Sequence, residues 1–92
     1  MKAVLLDDEL HCTEILSLIL KQNCPEIEIV GIFNHPAEAL LFLQSNSVEV
    51  LFLDIEMPFM NGFKFLNRLQ PVGLHVVFTT AYDAYAIKAF KY

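Results

Sequence analysis

Three aspartates stand where short apolar runs stop. Asp7 and Asp8 close Ala3-Val4-Leu5-Leu6, and Asp54 closes Val50-Leu51-Phe52-Leu53. Each run is continuously apolar and rich in branched residues, the pattern of a strand buried on both faces of a parallel sheet. A helical pattern follows each run, so the connections read as βαβ crossovers. In open sheets of this kind the carboxyl ends of neighbouring strands face one crevice, and ligands bind there. Three carboxylates in one crevice repel one another unless a hard cation sits among them. The arrangement predicts a magnesium site with one carboxylate available for chemistry.

The elements that must position these carboxylates alternate along the chain without a linker or repeat. The first strand covers Lys2 to Leu6, and a helix follows over Leu10 to Gln22, with Cys12, Ile15, Leu16 and Ile19 at helical spacing. Pro25 disfavours helix at the residue before it and ends that segment. Ile27 to Val30 reads as a second strand stopped at Gly31. Pro36 suits the first position of the next helix, with Asn34 or His35 as its cap, and the helix runs to Ser45. Val50 to Leu53 is the third strand. A loop containing Met57, Pro58, Asn61 and Gly62 leads to a helix carrying Phe63, Leu66 and Leu69. Leu74 to Thr79 reads as a fourth apolar strand, and Asp83 to Tyr92 has Tyr85, Ala86, Ala89 and Phe90 at helical spacing. Right-handed crossovers give a doubly wound parallel α/β sheet of strand order 2-1-3-4.

Composition narrows the classes further. Ninety-two residues make one small domain, and 55% of them are hydrophobic, with eight Phe carrying most of the aromatic content. No apolar run has the length of a membrane span, and no basic-then-apolar signal segment opens the chain, so a cytoplasmic location with no membrane partner is expected. A net charge of −5 argues against this segment gripping nucleic acid by itself. Cys12 and Cys24 on one helix would lie roughly 18 Å apart, beyond disulfide reach. His11, His35 and His75 lack metal-ligand spacing.

Asp7-Asp8-Glu9, the run Asp54-x-x-Met57-Pro58-x-Met60-x-Gly62, and Thr79-Thr80-Ala81 together resemble the receiver domain of two-component response regulators. The resemblance covers residues 1–92 in order and spacing, and it implies a flavodoxin-like fold. Phe78-Thr79-Thr80-Ala81-Tyr82-Asp83-x-Tyr85-Ala86-x-Lys88-Ala89-Phe90 further resembles the receivers that precede LytTR (LytR/AlgR)-type DNA-binding domains. By this resemblance Asp54 is the phosphoacceptor, taking a phosphoryl group from a sensor histidine kinase. Asp8 and Asp54 bind Mg2+ through carboxylate oxygens, the Glu56 backbone carbonyl completes the protein ligands, and Asp7 acts through water. Thr80 contacts a phosphoryl oxygen. The implied role is phosphorelay signalling rather than classical enzymology, with transcription regulation through a separate DNA-binding domain and a possible homodimer. The chemistry is sound on general grounds: an in-line attack needs charge cancelled on the equatorial phosphoryl oxygens, and magnesium accepts phosphate oxygens while needing few carboxylates.

Plainer roles exist for each residue. Asp7 or Asp8 could cap the first helix, although Asp54 at the matching end of a second buried strand argues for a shared site. Thr80 is an ordinary strand-end residue and gains weight only from position. Met57 and Met60 read as loop packing, and the Glu9 and Glu56 side chains as a solvated rim.

The sequence also departs from the receiver pattern. A full receiver continues into a fifth strand, a lysine before proline and a fifth helix, whereas this sequence stops at Tyr92. A receiver incomplete at its C-terminus, with the fifth βα unit missing, is therefore expected. Lys64, Lys88 and Lys91 are the later lysines, with Lys88 and Lys91 expected on the solvated face of the last helix. Without a lysine on the phosphoryl group, a charge-assisted contact of roughly 1.5–3 kcal/mol is lost, so residues 1–92 alone are expected to be phosphorylated poorly or not at all, and without a receiver-type dimer switch. The fourth strand would be left as an exposed apolar edge. Two other classes remain: a degenerate receiver serving only for dimerisation or docking, and a phosphatase of the haloacid dehalogenase type. The latter wants Asp-x-Asp after its first strand, not the adjacent aspartates found here.

Overall fold

The computed structural model describes residues 1–58 and 60–79 in full and residues 88–91 as backbone. Among the described residues eight elements follow one another: β1 (Lys2–Leu6), α1 (Leu10–Asn23), β2 (Glu28–Phe33), α2 (Pro36–Ser45), β3 (Val50–Asp54), α3 (Gly62–Leu69), β4 (His75–Thr79) and β5 (Lys88–Lys91). The sheet order is β2-β1-β3-β4-β5, so the expected 2-1-3-4 arrangement holds and its strands pair in parallel. The order reverses direction at β1, which places α1 and α2 on opposite faces when each crossover is right-handed.

Side chains alternate across each strand and sort the core into layers. Val4 and Leu6, Leu51 and Leu53, and Val76 and Phe78 share one face. They join Ala39 of α2 and Phe65 and Leu66 of α3 in one buried cluster. Met57, buried from the loop after β3, belongs to the same cluster, and Met60 packs against it, as loop packing predicts. On α1 the inward residues are Thr13, Ser17 and Leu20. Ile15 and Ile19 are exposed despite their helical spacing. The small side chains of Thr13 and Ser17 take the sheet-facing stripe, so α1 is turned away from the orientation its aliphatic spacing suggests.

Two expectations are corrected. Gly31 does not stop the second strand, which continues through Ile32 to Phe33. The ladder with β1 shifts register there: Ala3 pairs with Ile29 and Val4 with Gly31, leaving Val30 as the extra residue of a bulge. A Cβ at Gly31 would meet the Phe33 ring at 2.7 Å, so a residue without a side chain suits this position.

The second correction concerns the last segment. Residues 88–91, expected in a helix with Lys88 and Lys91 on its face, form a strand antiparallel to β4, with Val76 opposite Phe90 and Phe78 opposite Lys88. The fourth strand is therefore not the sheet edge, and the sheet is mixed rather than wholly parallel. An edge strand offers unpaired backbone groups along its length, and a segment brought beside it gains those hydrogen bonds by extending. The remainder of the expected helix lies outside the described residues.

Candidate functional site

The register brings the acidic residues together. Leu6 of β1 pairs with Leu53 of β3, so the next step along each strand sets Asp7 level with Asp54. Asp54 in turn pairs with Thr79 of β4. One carboxylate oxygen each from Asp7, Asp8 and Asp54 lies within 4.8 Å of the others. Asp7 and Asp8 are half-buried, and Asp54 is 7% exposed.

Backbone amides hold the carboxylates of Asp7 and Asp54. The Glu9 amide donates to Asp7 Oδ1 at 2.9 Å, and the Glu56 amide donates to Asp54 Oδ1 at 3.2 Å. Each bond spans two residues, the local turn that aspartate makes readily. Plain capping of α1 by Asp7 or Asp8 is thus not what the structure shows: the N-cap residue is Glu9, which makes no side-chain capping bond. Glu56 is exposed, consistent with a solvated side chain whose main chain faces the site. Thr80 lies outside the described residues.

The loop after Asp54 is closed tightly. The Ile55 amide donates to Thr79 O at 3.3 Å, and the Gly62 amide donates to Ile55 O at 2.8 Å. A Cβ at Gly62 would lie 2.9 Å from Asp54 O and 3.2 Å from Ile55 Cα, both backbone atoms that cannot turn aside. Asn61 caps α3, its side chain accepting from the Lys64 amide at 2.9 Å.

Electrostatics at the site are those of crowded, partly dehydrated anions. Burial, and then the Asp7 charge, push Asp54 from the ordinary 3.8 up to about 7. Burial also raises Asp7, opposed by its bond from the Glu9 amide and reinforced by the Asp8 charge. The nearby Cys12 thiol lies 3.8 Å from Glu9 Oε2 and is pushed up to about 11 by burial and by Asp7 and Glu9, which leaves it a poor nucleophile. An all-oxygen cluster carrying this much like charge has the donor chemistry of a hard divalent cation such as Mg2+. The residues present fit that ion.

Sequence reasoning missed one contributor. Asn34, expected as a cap of α2, instead turns toward the acidic turn: its Nδ2 donates to Asp7 O at 2.8 Å and to Thr13 Oγ1 at 3.1 Å. His35 takes the N-cap position, without a side-chain capping bond. No local pattern signals a partner 27 residues away.

Comparison with known proteins agrees with this geometry. The chain is 38% identical over 92 residues to an uncharacterized response regulatory protein of Vibrio cholerae, covering 99% of this chain and 38% of the relative. It is 40% identical over 92 residues to the transcriptional regulatory protein BtsR of Salmonella typhi, with the same coverage of each chain. The chain thus spans about two-fifths of the length of these curated relatives. The crystal structure of the response regulatory domain of mrkE from Klebsiella pneumoniae superposes with a TM-score of 0.79 at 33% identity, covering 94% of this chain and 71% of that one. No helix among the described residues is long and apolar enough to cross a membrane. Residues 3–92 match the response regulator receiver domain family, and the chain belongs to it.

Proposed function

We propose that this receiver domain accepts a phosphoryl group on Asp54 from a phosphohistidine of a sensor histidine kinase. The observation that carries the reading is the convergence of Asp7, Asp8 and Asp54 at the carboxyl ends of β1 and β3, with oxygens within 4.8 Å. Asp8, Asp54 and the Glu56 backbone carbonyl would hold Mg2+, and Asp7 would act on it through water. Bound Mg2+ supplies positive charge that keeps Asp54 ionised and offsets charge on the phosphoryl oxygens.

The chain's own residues do the rest. The Glu56 amide holds the Asp54 carboxylate through Oδ1. An Asp54 oxygen attacks phosphorus in line, the P–N bond to the kinase imidazole breaks, and the imidazole leaves as it takes a proton. An acyl phosphate is formed. Thr80 contacts one phosphoryl oxygen. The phosphorylated domain controls transcription through a LytTR-type DNA-binding domain, in the cytoplasm, with homodimerisation as the transmitted change. Two features support that output: the Phe78 to Phe90 sequence pattern and the likeness to a transcriptional regulatory protein.

The test is the position of the label. The protein is incubated with a small phosphoryl donor and MgCl2, then treated with borohydride, which reduces an aspartyl phosphate to homoserine. Peptide mass spectrometry is expected to find homoserine at residue 54, and none when Mg2+ is chelated. A low yield is sufficient, because position decides. Labelling at another residue, or undiminished labelling of Asp54→Asn, would overturn the assignment.

A further inference from the structure

The Asp7–Asp8 turn owes its shape to the end of β2. The Asp7 amide donates to Phe33 O at 3.1 Å, and the Asp7 carbonyl accepts from Asn34 Nδ2 at 2.8 Å. The last residue of β2 and the residue that follows it therefore hold both main-chain polar groups of Asp7. The Asp7 carbonyl belongs to the peptide joining Asp7 to Asp8, so fixing its direction fixes the direction in which Asp8 leaves the strand.

Asn34 is unusually committed to this task. Its second Nδ2 hydrogen goes to Thr13 Oγ1 at 3.1 Å, and the Thr13 hydroxyl itself donates to Leu10 O at 3.0 Å. Thr13 is 1% exposed on the inward face of α1. A backbone carbonyl only accepts, so the amide group of Asn34 must face it, and both of that group's hydrogens are then used. The carboxamide links three elements at one point: the end of β1, the first turn of α1 and the end of β2. Neither a hydroxyl nor a carboxylate of similar reach offers two donors.

We propose that Asn34 is a positioning residue for the cation site, acting through the Asp7–Asp8 peptide rather than by touching the ion. The proposal rests on the reading of Asp7, Asp8 and Asp54 as that site. A group that orients ligands without binding the metal changes affinity because the ligands no longer wait in the bound geometry. Asn34→Ala removes both donors. Asn34→Ser leaves a hydroxyl too short to span them.

The test is Mn2+ titration of the metal-free protein at fixed pH, followed by proton relaxation of water, alongside hydrogen exchange at the Asp8 and Glu9 amides. The expected result is about a tenfold loss of Mn2+ affinity in Asn34→Ala and Asn34→Ser, with exchange accelerated in the Asp7–Glu9 turn and unchanged in β3. A merely structural role would speed exchange throughout the sheet and leave the affinity of the folded fraction unaltered; that result, in either variant, overturns the proposal. Asp8→Asn in the same titration separates the two claims. If it weakens Mn2+ binding while both Asn34 variants bind like wild type, the clamp is wrong and the site stands. If Asp8→Asn binds like wild type, the site itself is wrong and the clamp falls with it.

Discussion

Replacing the central carboxylate by its amide is expected to stabilise the metal-free protein, and to do so only above a definite pH. In Asp54→Asn the side chain keeps its shape and loses its charge. Asp54 is held from the ordinary 3.8 up to about 7, first by burial and then by Asp7. Between those values the folded chain holds a proton that the unfolded chain releases. Wild-type stability therefore falls as pH rises from about 4 to about 7, and the penalty is complete above that range. Residue 54 of the variant carries no titrating group, so the advantage of the variant over wild type is small near pH ~4 and full near pH ~8. At about 1.4 kcal/mol per pH unit the ceiling is about 4 kcal/mol. Asp7 and Asp8 are only half-buried, so solvent screens their repulsion and about 1–2 kcal/mol is the expected gain. Urea unfolding in EDTA at both pH values measures it. Saturating Mg2+ should shrink or reverse the difference at the higher pH, because the wild type then gains binding free energy that the variant has partly lost. A gain equal at both pH values, or a variant less stable than wild type near pH ~8 in EDTA, would refute the argument that burial, and then the neighbouring charge, penalise an ionised Asp54.

Three further outcomes follow from packing and capping. Gly62→Ala should destabilise by about 1–3 kcal/mol in urea unfolding, because its Cβ would press on the Asp54 carbonyl at 2.9 Å, and it should also weaken Mn2+ binding through that same strand end. Phe65→Ala should cost about 3–5 kcal/mol, since Phe65 is fully buried between α3 and the strands of the main core; denaturant unfolding reads it directly. Asn61→Ala removes the acceptor for the Lys64 amide and should cost about 0.5–2 kcal/mol, with hydrogen exchange accelerated in the first turn of α3 rather than across the sheet.

Much of the fold and the core of the site were legible because they depend on local pattern. Buried parallel strands read as apolar runs, so Ala3 to Leu6 and Val50 to Leu53 marked their own ends, and the acids beyond them marked the crevice. Handedness then gave the order of the four parallel strands, which the ladders bear out.

Three features were decided only by the tertiary structure. Periodicity placed Ile15 and Ile19 on a helix but not its rotation, which depends on how closely α1 approaches the sheet; Thr13 and Ser17 face inward instead. Residues 88–91 have a spacing that fits a helix, yet their backbone pairs with β4, because an open strand edge offers hydrogen bonds that no local propensity records. Asn34 precedes a proline-started helix and so reads as a cap, while its amide is used by Asp7 and Thr13. A side chain with two donors bonds whichever acceptors the packed elements bring within reach, and those acceptors are distant in sequence. The residue types set what chemistry this chain can do, and the meeting of β1, β2, β3 and α1 sets where its charges stand.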